Sequence, residues 1–159
     1  MTETMQSYMQ ATEKVLAQLK TMAAAEQEKR QALLRHELER LESLLQEQQA
    51  MAMKLDGLEK RRYAAQAAAG FAGMTGDQIV ERVGPAERPA VSALFAQLRG
   101  AAAELRELNQ VSMDIADAEL RLMERAARPS EREAAHGLYR PDGSKDGPRA
   151  AGLTFEEKV

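Results

Sequence analysis

No proline occurs before Pro85, and Gly57 is the only glycine before Gly70, so nothing in the first 69 residues obliges the chain to turn. Unbroken stretches of this kind suit long helices. Leu34, Leu38, Leu41, Leu45, Gln48, Ala52 and Leu55 recur at alternating spacings of four and three, which puts an apolar seam on one helical face. Glu26 to Arg30 and Asp56 to Lys60 stand four apart in the favourable order for flanking ion pairs. Upstream, Met5, Met9, Val15, Leu16, Leu19 and Met22 keep helical spacing. The pattern predicts one helix over about 4–66.

Residues 70–89 change texture, reading GFAGMTGDQIVERVGPAERP. This predicts a connection over 70–88 with a short helix near Asp77 to Val83, capped by Thr75 or Gly76 and closed by Gly84-Pro85. A second long helix is expected over about 86–128. Its seam is Leu94, Leu98, Ala101, Leu105, Leu108, Ser112, Ile115, Glu119 and Leu122, and Arg128-Pro129 ends it. Asn109 and Ser112 lie on or beside that seam, as a register device or as a contact for a partner. Residues 129–159 are rich in Pro, Gly and charge and read as a largely disordered tail, with a short helix allowed from Ser130 by a capping box to Glu133.

The fold class that follows is all-α: a long, coiled-coil-like antiparallel helical hairpin over 1–128, with a short connecting helix and a flexible tail over 129–159. Composition agrees. Ala, Leu, Glu, Lys and Arg supply about 55% of the chain, and aromatic residues only 4%. At about 1.5 Å per residue, a helix over 4–66 would be roughly 95 Å long and its partner roughly 60 Å. The excess leaves the Met-rich stripe of Met5, Met9, Leu16, Leu19 and Met22 without a neighbour. The tail, a second subunit forming a homodimer, or a client protein would then have to cover it.

Few residues could carry chemistry. The chain has no Cys, so disulfides, thiolate zinc sites and a cysteine nucleophile are excluded, and it has two His. His36 stands in RHELER, which lacks the second His of a zincin motif, and is expected to face solvent on a helix. Glu133 and His136 have di-iron spacing but no second such pair. Asp142 to Gly147 resembles half of a calcium loop, yet Pro148 follows and position twelve is Leu153. An enzyme, a metal site and a cofactor are therefore not expected. A pI near 5.6 without a basic block argues against nucleic acid. No run of 18 apolar residues or signal-like N-terminus appears, which predicts a cytoplasmic protein without membrane insertion.

Taken with the motifs Leu38-Glu-Arg-Leu41-Glu, Leu55-Asp-Gly-Leu58-Glu59-Lys60-Arg61-Arg62, Leu105-Arg-Glu-Leu108-Asn109-Gln-Val-Ser112-Met-Asp-Ile115 and Leu138-Tyr139-Arg140-Pro141-Asp142-Gly143, the chain resembles the FlgN-type flagellar export chaperone family over roughly 10–143. It departs from the family pattern at Ser112, where a second Asn is usual, and at Arg140, where Gly is usual. The resemblance implies a chaperone that binds C-terminal helical segments of hook-associated proteins, prevents their premature assembly and delivers them to the flagellar export gate. It places client contact on Leu105, Leu108, Asn109, Ile115 and Leu122, and gate docking on Tyr139. A self-associating coiled-coil scaffold, or a chaperone for the filament or cap protein, is the alternative.

Overall fold

In the computed structural model, which describes residues 1–128, four helices follow one another: α1 (Glu3–Leu34), α2 (Leu38–Ala68), α3 (Gly76–Arg82) and α4 (Arg88–Ala127). The described residues are all-α. The single helix expected over 4–66 is two helices, folded back on each other at Arg35–Glu37. His36 makes that turn. It adopts φ 55°, the left-handed conformation, while its N–H donates to Leu33 O at 3.3 Å and the Glu37 N–H to Ala32 O at 3.0 Å. These paired bonds form a Schellman closure of the helix end, with His where Gly is usual. Histidine is among the few non-glycine residues enriched there, so no Gly or Pro marked the break in the sequence.

The end of α2 closes in the same way with the expected residue: Gly70 at φ 86° donates to Ala67 O, and Phe71 to Gln66 O, both at 3.0 Å. The Gln66 side chain then donates to Phe71 O and Met74 O at 2.9 and 2.8 Å, fixing the loop. Thr75 and Gln78 form a reciprocal capping box that starts α3.

Because α1 turns back so early, it becomes the central helix, touching both α2 and α4. The direction of α4 follows from its contacts. The Met1 amine meets Glu87 at 3.0 Å, the Tyr8 and Phe95 rings lie 6.1 Å apart, and Glu26 meets Ser112. Both helices therefore advance together, so α4 runs parallel to α1 and antiparallel to α2. The antiparallel pairing expected for the second long helix is corrected: α4 packs parallel to α1. The expected α2 seam holds in part: Leu55 is buried and Leu41, Gln48 and Ala52 are half-buried, whereas Leu38 and Leu45 are exposed and Leu44, off that seam, is buried.

Two apolar clusters form the core. One joins Val15, Leu16, Leu19, Met22 and Ala23 of α1 to Leu55 of α2 and to Leu94, Leu98, Ala101, Ala102 and Leu105 of α4. The other, at the closed end, gathers Met5, Tyr8, Ile79, Val83, Val91 and Phe95. Each fully buried aliphatic or aromatic side chain there contributes about 1.5–3 kcal/mol. Met5, Leu16, Leu19 and Met22 are all buried and Met9 is half-buried. The stripe expected to lack a neighbour is thus covered by α2, α3 and α4 of the same chain. Its apparent surplus was an artefact of joining α1 to α2.

Candidate functional site

The two halves of the bundle are packed differently, and Glu26 stands at the boundary. Its carboxylate is buried, yet each of the three long helices reaches it. Oε2 accepts from the Ser112 hydroxyl of α4 at 3.0 Å, and Oε1 from Gln48 Nε2 of α2 at 2.9 Å and Lys29 Nζ of α1 at 2.8 Å. A buried charge is tolerable only with such partners. On the closed side of this cluster, α1 offers Val15, Leu16, Leu19 and Met22 to α4. On the open side its one buried residue is Ala32. Short side chains cover less of a facing helix, so α4 loses cover beyond Ser112.

The sequence of α4 widens its apolar arc at the same point. Val111, Ile115, Ala118 and Leu122 follow one flank of the α1-facing seam, and Met113, Ala116, Leu120 and Met123 the other. Val111, Met113, Leu120, Leu122 and Met123 are exposed, the last three at 55%, 59% and 57%. Beyond the contact of His36 Nδ1 with Glu119 Oε2 at 3.8 Å, α4 continues to Ala127, roughly two turns or ~12 Å past the α1–α2 turn. Leu34 and Leu38, exposed at 55% and 72%, flank that turn. Single exposed apolar residues are ordinary, but a concentration at one end of a helix signals a binding surface.

The residues singled out from the sequence separate accordingly. Leu105 is buried in the core and Leu108 packs against it, so both hold α4 to the bundle. Asn109 is half-buried, its amide 4.0 Å from Met113 Sδ, and Ile115 is half-buried. Leu122 alone of the five is freely presented. Val111, Met113, Leu120 and Met123 were missed, because a narrow seam was sought where the apolar arc is wide. Tyr139 lies outside the described residues, as do Glu133, His136 and the Asp142 to Gly147 stretch.

At the closed end, a second polar group is buried among apolar residues. Arg62 donates from Nε and Nη2 to Glu59 Oε2 at 3.2 and 2.9 Å, with its guanidinium 4.7 Å from the Tyr63 ring centre. Glu59 Oε1 is buried without a partner. Burial pushes the Tyr8 hydroxyl above the ordinary tyrosine value, against the pull of the Arg62 guanidinium. The N-termini of α1 and α4 and this cluster together form a tightly held base. Among the described residues, no group of three or more His, Asp or Glu could hold a metal, and no helix is long and apolar enough to cross a membrane.

The family model described as FlgN protein matches residues 1–147. No curated protein and no solved structure matches the chain.

Proposed function

The chain belongs to the FlgN family and is a flagellar export chaperone, and from that premise we propose that its clients are hook-associated proteins, held through their C-terminal helical segments on the distal half of α4. One observation carries this reading: Val111, Met113, Leu120, Leu122 and Met123 are exposed on an arc of α4 that its own bundle leaves uncovered. An amphipathic client helix laid along this arc would bury those side chains, as helix-in-groove recognition requires. Methionines suit such a surface because their unbranched side chains adapt to differing partners. Sequestered in this way in the cytoplasm, a client helix could not pair with its assembly partner.

Delivery to the export gate falls to Tyr139, an aromatic side chain in a polar stretch of sequence. Leu108, Asn109 and Ile115 border the client surface, while Leu105 acts indirectly by holding α4 in place. The scaffold alternative drew its support from an uncovered Met stripe, and that stripe is buried within the chain. A filament or cap client is separated from a hook-associated one by direct competition.

The test is titration of the full chain with C-terminal segments of hook-associated, filament and cap proteins. Micromolar or tighter binding of the first, weakened at least ~30-fold by Leu122→Asp with unchanged melting, is expected for a central apolar contact. Absence of a complex with the hook-associated segment at micromolar concentration would overturn the assignment. Tyr139→Ala should leave both melting and client binding unchanged while reducing export.

A further inference from the structure

The Val111, Ala118 and Leu122 flank of α4 has a border that is basic over its distal part, beyond Asp114, whose carboxylate already accepts from Gln110 Nε2 at 2.9 Å. Arg121, Arg125 and Arg128 follow at helical spacing beside Leu122, and none has a carboxylate partner among the described residues. The Met113, Leu120 and Met123 flank is bordered instead by Asp117 and Glu124. An occupant of the first flank should therefore combine apolar side chains with negative charge.

The chain supplies such a segment itself. Among residues 129–159, apolar side chains larger than Ala are confined to Leu138-Tyr139, Leu153-Thr154-Phe155 and Val159, and only the Leu153 group is followed directly by two acids, Glu156 and Glu157. This segment also lies outside the part of the chain matched by the family, which ends at residue 147. Reach is sufficient. The roughly 25 residues between Arg128 and Leu153 span ~25–30 Å at coil dimensions, and Val111 lies ~26 Å back along α4 from Arg128. A tether of this length keeps its segment at a millimolar effective concentration, enough for a weak contact to be occupied much of the time.

We propose that Leu153 to Glu157 dock on the Val111–Leu122 flank of α4 in the free protein, with Leu153 and Phe155 on the apolar side chains and Glu156 and Glu157 against Arg121 and Arg125. The segment acts as an internal occupant that an incoming partner must displace. Docking itself is independent of the client assignment; only the competition rests on that reading.

Hydrogen exchange on the full chain without any client tests this directly, so its failure and that of the client assignment remain distinct. In the Leu153→Asp/Phe155→Asp variant, amides of Val111–Met123 should exchange two- to tenfold faster, as loss of a contact occupied half to nine-tenths of the time requires. Amides around Leu19 should not change. Glu156→Arg/Glu157→Arg should have the same effect and be rescued by Arg121→Glu/Arg125→Glu. Unchanged exchange in the first variant would overturn the proposal. Protection that rises with protein concentration would also overturn it, by assigning the flank to a second copy.

Discussion

The Ser112 hydroxyl of α4 donates at 3.0 Å to Oε2 of Glu26 on α1, joining two buried polar groups 86 residues apart. Gln48 and Lys29 take the other carboxylate oxygen, so sliding α4 by one turn would leave the buried Oε2 without its donor. The bond sets the register of a parallel pair that apolar contacts alone would leave loose. Ser112→Ala should cost about 1–3 kcal/mol, the penalty for an acceptor left short of a donor. Urea unfolding measures it, and a double-mutant cycle with Gln48→Ala should show coupling; full additivity would mean that the two contacts do not form one network.

His36 predicts a gain rather than a loss. A non-glycine residue in the left-handed region costs about 1–2 kcal/mol, and Gly gives back part of that through its greater freedom when unfolded. His36→Gly should therefore raise stability by about 0.5–1 kcal/mol, a shift of a few degrees in thermal midpoint. His36→Ala should give no such gain. A lowered midpoint for the glycine variant would mean that the contact with Glu119 matters more than the backbone.

Leu19 and Leu122 should part company. Leu19→Ala empties a fully buried position and should cost about 3–5 kcal/mol. Leu122→Ala, at an exposed one, should change stability by less than about 0.5 kcal/mol. Thermal and chemical denaturation read both, and a large loss at Leu122 would place it in a core contact.

Alkaline pH should loosen the closed end. Burial raises the Tyr8 hydroxyl above its ordinary value of 10.0, so between those two values the folded chain holds a proton that the unfolded chain has released. Stability is then constant below about pH 10 from this group and falls as pH rises toward the folded value. Tyr8→Phe should remove that slope. Denaturation at a series of alkaline pH values checks it, and an identical slope in the variant would assign the loss elsewhere.

Much of the fold was legible because helical spacing and the Gly/Pro-rich connection are local signals. The second seam from Leu94 to Glu119, the Thr75 cap and the end near Arg128 could all be read directly. The turn at His36 could not, since its closure depends on one backbone angle that histidine rarely adopts. From that omission followed the misplaced partner of α4 and the supposed surplus of Met5 to Met22. Among the candidate site residues, Leu122 was recognisable by its position, but Leu105 was not separable from it by pattern. Whether a seam residue is covered depends on where the neighbouring helix ends, and α1 ends before Leu122.

The parallel pairing of α1 with α4 also sets an order of events during synthesis. At about 5–20 residues per second, roughly 4–17 s separate the appearance of Glu26 from that of Ser112. During that interval α1 can close on α2, but Val15, Leu19 and Met22 still await Leu94 to Leu105. A nascent chain caught at this stage exposes more apolar surface than the finished one. This chaperone is, while on the ribosome, briefly in need of shielding itself.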